Sequence, residues 1–165
     1  MRLDDLPFPV FGDVAFRGKC PTESLEQVTF FGALRRQFPA TWGALAIHPR
    51  NEGLKTSGQF AAVQKHAAEG MTPGAADIII PGAPAFVCEL KRQDHTQSAW
   101  QPGQVEYLTA AHEAGAFACL ALGHKGALEA LEAWINGSRR GSLTTSCAGA
   151  LPGRTRNRRS AAGQC

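Results

Sequence analysis

The residue pattern predicts an α/β domain whose mixed central sheet is flanked by helices, in the order α-β-α-β-β-α-β-α. Three observations carry this. Segments with helical apolar spacing alternate with short, wholly apolar runs. Two of those runs are divided only by Pro81-Gly82-Ala83-Pro84, which reads as a hairpin turn and makes the sheet mixed. Finally, 165 residues with 44% apolar and 19% charged composition suit one packed core and are too apolar for a disordered chain.

Each element has a local reason. Residues 1–20, rich in Pro, Gly and Phe, read as an irregular arm packed on the core. A first helix starts at Pro21-Thr22-Glu23, with Thr22 as N-cap and Glu23 and Glu26 in the first turn. Leu25, Val28, Phe31, Leu34 and Phe38 recur at helical spacing up to Pro39. Ala44 to His48 is a short strand candidate, followed by a loop through Gly53. A second helix is expected from about Ser57 to Glu69, with Gly70 as its C-cap. Asp77 to Ile80 and Ala85 to Lys91 form the hairpin, and a third helix spans Pro102 to Ala114. Ala116 to Leu122, bounded by two glycines, is a buried strand, and Gly126 to Ile135 is the last helix. The body is thus 21–137, followed by 138–165.

Charge separates these parts. All 14 acids lie at or before Glu132, whereas the segment from Ser138 onward holds six arginines and no acid. The net charge of +3 therefore divides into a body of −3 and a tail of +6. A basic, Ser/Gly-rich tail reads as a disordered terminus, either solvated or in contact with phosphates. The opening residues show no signal-peptide pattern, and no run approaches the ~18 apolar residues of a membrane helix. Five widely spaced cysteines without a CxxC pair fit a reducing, cytoplasmic setting and disfavour a zinc ribbon. The five histidines show no HExxH spacing, there is no phosphate-binding GxxxxGK[ST], and Ser57 and Ser98 lack a nucleophile elbow.

The chemistry concentrates in the hairpin. Asp77 opens its otherwise apolar first strand, and Glu89 and Lys91, two apart, project together from the end of the second. Two carboxylates and an ammonium on a partly apolar sheet cost several kcal/mol unless they are paired or bind a cation. Oxygen donors favour Mg²⁺, or Mn²⁺ in its place, over Zn²⁺. The other reading is an ion cluster at a sheet edge.

The run Gly74-Ala75-Ala76-Asp77-Ile78-Ile79-Ile80, then Cys88-Glu89-Leu90-Lys91-Arg92, resembles the PD-(D/E)XK nuclease superfamily, and within it the VRR-NUC group of phage and Holliday-junction-resolvase-like proteins. Glu23 with Gln27, His48-Pro49-Arg50-Asn51, the lead-in from Lys65 to Gly74, Ser98 to Gln104 with Tyr107, and Gly115 to Gly123 are similar to that group's further motifs. The resemblance covers roughly residues 20 to 135. It departs at Ala76, where the family often has Pro, and at Gln93 to Gln101, an insertion that blurs which Gln matches.

The resemblance implies a restriction-endonuclease-like core and a Mg²⁺-dependent endonuclease acting on DNA, with branched or flapped DNA as a possible substrate. It makes Asp77, Glu89, the Leu90 carbonyl and Glu23 the metal ligands, with Glu26 competing for the place of Glu23. Lys91 would face the scissile phosphate or the attacking water, and Gln104 would orient water or phosphate. Arg50, Asn51, Lys55 and Arg92 are the phosphate contacts expected of the body. Trp100 and Tyr107 are candidate stacking partners for an unpaired base, or core residues. Paired action on junctions implies a homodimer. The rival is a non-catalytic DNA-binding module on the same fold.

Overall fold

The computed structural model describes residues 2–49, 64–65 and 68–145, with side chains described to Ser138. Four strands, β1 (Val10–Phe11), β2 (Ile78–Ile80), β3 (Phe86–Lys91) and β4 (Phe117–Leu122), form one mixed sheet in the order β1-β4-β3-β2. β2 and β3 are the expected antiparallel hairpin, with Ile78 opposite Cys88 and Ile80 opposite Phe86. β4 runs parallel to both β3 and β1. The helices are α1 (Glu23–Gln37), α2 (Trp42–Leu45), α3 (Gln104–Glu113) and α4 (Gly123–Thr145).

The pleat of β3 divides the core. Phe86, Cys88 and Leu90 face α1 and α4, joining Phe30, Leu34, Ala127, Leu131 and Trp134. Val87 faces the other way, with Leu108 of α3, Phe8 of the arm and Leu120. Glu89 and Lys91 share that second side by alternation, and both are buried. Covered on both faces, β3 is inaccessible along its whole length.

Four expectations change. The arm is not wholly irregular: Val10 and Phe11 pair with Leu120 and Ala121, adding an edge strand too short to carry an alternating pattern. Ala44 to His48 is not a strand. Trp42–Leu45 is a helical turn, and Ile47 alone pairs, bridging Ile79. Two contacts override the apolar pattern there. Trp42 packs edge-on against Trp134 with ring centroids 4.9 Å apart, and a Cβ at Gly43 would lie 2.8 Å from Arg35 Cα. In α1, Leu25 and Val28 are exposed, and the buried face is Glu26, Phe30, Phe31, Ala33 and Leu34. The last helix begins three residues early, directly after β4, and runs through Thr145, past the expected end of the body.

Of the expected second helix, Gln64, Lys65 and Ala68 are helical, Glu69 N–H donates to the Lys65 carbonyl, and Gly70 takes φ +97°. Its start, the loop residues Arg50, Asn51 and Lys55, and the chain from residue 146 lie outside the described residues. Among the described residues no helix is long and apolar enough to cross a membrane.

Candidate metal centre

Asp77 sits one residue ahead of β2, and its side chain prolongs the hairpin. Asp77 Oδ2 accepts the Leu90 backbone N–H at 3.1 Å, which holds the carboxylate beside Glu89. The Asp77 carbonyl is gripped from behind: Gln27 Nε2 donates to it at 3.4 Å and His48 Nδ1 lies 2.8 Å away. Glu23, on the first turn of α1, approaches from a third element. Carboxylate oxygens of Glu23, Asp77 and Glu89 all lie within 4.8 Å of one another.

Burial makes this cluster costly. Glu89 is fully buried, and its carboxyl is pushed up to about 8, first by loss of water and then by the charge of Asp77. Burial likewise raises Asp77, against the Leu90 N–H that lowers it. Lys91 Nζ offsets part of the charge, lying 2.8 Å from Glu89 Oε1 and 3.8 Å from Glu23 Oε1. Yet Glu89 Oε2 is buried with no hydrogen-bond partner among the described residues. An unpaired buried carboxylate oxygen beside two further carboxylates fits a hard divalent cation, which would satisfy that oxygen and relieve the repulsion.

The sequence left open which glutamine serves the site, and Gln104 is the one whose side chain reaches it. Gln104 Oε1 accepts from Lys91 Nζ at 3.0 Å and from Gln101 N–H at 2.8 Å, and Nε2 donates to Glu89 Oε1. Two donors on Oε1 fix the orientation of the amide. Gln104 is buried, so it is not the exposed helix residue of the alternative reading. It is placed by a backbone contact. A Cβ at Gly74 (φ +74°) would lie 2.2 Å from the Gly103 carbonyl carbon, so the lead-in to Asp77 and the start of α3 meet where only glycine fits. The ring of Trp100 lies under Lys91 Nζ at 5.4 Å, while Tyr107 packs on the core side of α3.

Glu26 does not compete with Glu23. Its Oε2 accepts the His124 backbone N–H at 2.9 Å and lies 2.5 Å from His124 Nδ1, so it caps the N-terminus of α4. Arg92 also departs from expectation. Its Nε and Nη2 donate to the carbonyls of Pro21 and Cys20, both at 3.0 Å, so the guanidinium is committed to the chain entering α1. Leu90 takes part through its N–H, its side chain belonging to the core.

Two roles around the site are not legible in the sequence. His48, named there only within the segment His48-Pro49-Arg50-Asn51, stands behind Asp77. Asp94 accepts from Gly18 N–H, Thr96 N–H and Oγ1, and Gln97 Nε2, which hold its carboxyl well below the usual range. Its link to Gly18 spans 76 residues, beyond any local pattern.

No protein-family model matches the chain, and neither does any curated protein. Among solved structures, one described as a VRR_NUC domain protein superposes with a TM-score of 0.56 at 21% identity, covering 72% of this chain and 91% of the other. At that identity the likeness is one of architecture. The chain therefore has a VRR-NUC-like, restriction-endonuclease-like fold.

Proposed function

We propose that this protein is a metal-dependent endonuclease that hydrolyses DNA phosphodiester bonds, with Mg²⁺, or Mn²⁺ in its place, held by Asp77, Glu89, Glu23 and the Leu90 carbonyl. The observation that carries this reading is the buried Glu89, whose Oε2 has no partner among the described residues while two other carboxylates stand within 4.8 Å. A structural ion cluster gains nothing from an unpaired buried oxygen, and a binding module gains nothing from burying acids against anionic DNA.

When bound, the ion supplies Lewis-acid activation of water and charge neutralisation at the phosphate. The protein's own groups do the rest. Lys91, fixed by Glu89 and Gln104, places an ammonium where negative charge builds in the transition state. Gln104 keeps Glu89 and Lys91 in register from α3. Asp77, braced through its carbonyl, keeps its carboxylate turned toward Glu89. Arg50, Asn51 and Lys55 remain the proposed phosphate contacts. A branched or flapped substrate, cut by a homodimer in a reducing cytoplasm, completes the proposal.

Plasmid and synthetic branched DNA, each incubated with Mg²⁺ or EDTA, test it. Metal-dependent cutting by the wild type that is lost in Asp77→Ala is the expected result. Tight DNA binding without cutting, or neither binding nor cutting, would overturn it.

A further inference from the structure

By sequence, Gln93 to Gln101 is an insertion that blurs which Gln matches, and Ser98 within it opens the segment similar to the group's Ser-x-x-Gln helix start. In the structure Ser98 of this segment holds Glu23, a partly exposed carboxylate of the cluster. We propose that Ser98 is a positioning residue: its hydroxyl sets Glu23 as the third oxygen donor of the metal centre. This rests on the reading of that centre given above.

Glu23 needs such a device. It comes from a different element than Asp77 and Glu89, and its side chain is 40% exposed where that of Glu89 is fully buried. A long side chain on a helix's first turn otherwise samples several rotamers, at a cost in entropy when it is fixed. Ser98 Oγ has one proton. It accepts from the Arg92 backbone N–H at 3.0 Å, and this directs its own O–H to Glu23 Oε2 at 3.0 Å. Glu23 Oε2 is thereby occupied, and Oε1 is the atom facing Lys91 Nζ.

Ser98 is itself held. It closes the 3₁₀ turn His95–Gln97 in an extended conformation, and its N–H donates to the His95 carbonyl. Asp94 caps that turn and also accepts from Gly18 N–H, while Gln97 Nε2 donates to the Gly18 carbonyl at 2.8 Å. Arg92 grips the carbonyls of Cys20 and Pro21. One connection thus holds both the backbone leading into Glu23 and its carboxylate, as a clasp across residues distant in sequence. Groups that orient a metal ligand from behind typically change metal affinity 10–100-fold when removed.

The test is Mn²⁺ binding, read by calorimetry and by loss of the free-ion electron paramagnetic resonance signal, without DNA. Ser98→Thr and Ser98→Val have the same shape and differ by the hydroxyl, and the extended backbone at 98 accepts either. Ser98→Val is expected to weaken Mn²⁺ binding about tenfold, and Ser98→Thr by less than about twofold. In a Glu23→Gln background, Ser98→Val should cost nothing further. Wild-type affinity in Ser98→Val, equal loss in Ser98→Thr, or additive losses in the double variant would overturn the inference alone. No saturable Mn²⁺ binding by the wild type would overturn the metal reading with it. Ser98→Ala, checked by its melting curve, replaces Ser98→Val if that variant does not fold.

Discussion

Glu26 and Glu89 are both buried, at 1% and 0% exposure, and their surroundings are opposite. Glu26 meets the N-terminus of α4, where a backbone N–H and an imidazole converge on one oxygen. Among the described residues, Glu89 meets two other carboxylates, keeps one oxygen unpaired and is offset by Lys91. Burial therefore does not separate a structural acid from a site acid. The partners do: one carboxylate closes a helix end, and the other is left with an open oxygen by the described residues.

The sharpest way to break this contrast is to neutralise each acid in turn. Glu89→Gln should reduce DNA cleavage to background while leaving the metal-free protein about as stable at pH 7, because the buried carboxyl, pushed up to about 8, already holds its proton there. Glu26→Ala should do the reverse. It leaves the His124 N–H without its acceptor, at a cost of about 1–3 kcal/mol in urea unfolding, yet the folded fraction should cut at the wild-type rate. If Glu26→Ala removed activity at full stability, the division between the two acids would fail. Lys91→Ala, which removes the cation rather than an anion, should cost roughly 10²–10³-fold in rate.

This contrast also marks what the sequence could reveal. The hairpin was legible because Asp77 and the Glu89/Lys91 pair interrupt apolar runs, and a period of two places them on one face. Gln104 was legible by resemblance alone, since nothing local says that its amide turns inward. Glu26 and Ser98 were illegible in their roles. Glu26 looks like any first-turn acid until α4 arrives 98 residues later in the chain, and its burial shifts the inner face of α1 away from Leu25 and Val28. Val10–Phe11 is too short for a strand pattern, and the apolar run at Ala44 to His48 yields to the packing of Trp42 on Trp134. Local propensity sets element type; long-range partners decide which polar residue does what.

Acidity sharpens the comparison further. The Glu89 carboxyl is held at about 8, above its ordinary 4.5. Between those values the folded protein keeps a proton that the unfolded chain has released. Metal-free stability must then fall as pH rises through this window. From pH 6 to 8 the loss should reach up to about 2–3 kcal/mol. Metal binding requires the deprotonated carboxylate, so Mg²⁺ should stabilise the protein more at pH 8 than at pH 6, and proton release on binding should be greater at the lower pH. Melting curves at both pH values, with and without Mg²⁺, measure this. Glu89→Gln should flatten the metal-free dependence, and Glu26→Gln should leave the Glu89 contribution in place.

The smallest effect extends the criterion from acids to bases. Arg92 looks from sequence like a phosphate contact beside the site, but its guanidinium already serves the carbonyls of Cys20 and Pro21. A group with partners of this kind should act on the fold, as Glu26 does. Arg92→Ala should therefore lower the melting temperature modestly and leave the salt dependence of DNA binding unchanged. A phosphate contact would instead reduce the slope of log K against log salt by about 0.9 on removal. Binding titrations of both proteins at several salt concentrations separate these outcomes. A reduced slope would mean that Arg92 releases its carbonyls when DNA binds, so that a satisfied partner set does not exclude a place in the site.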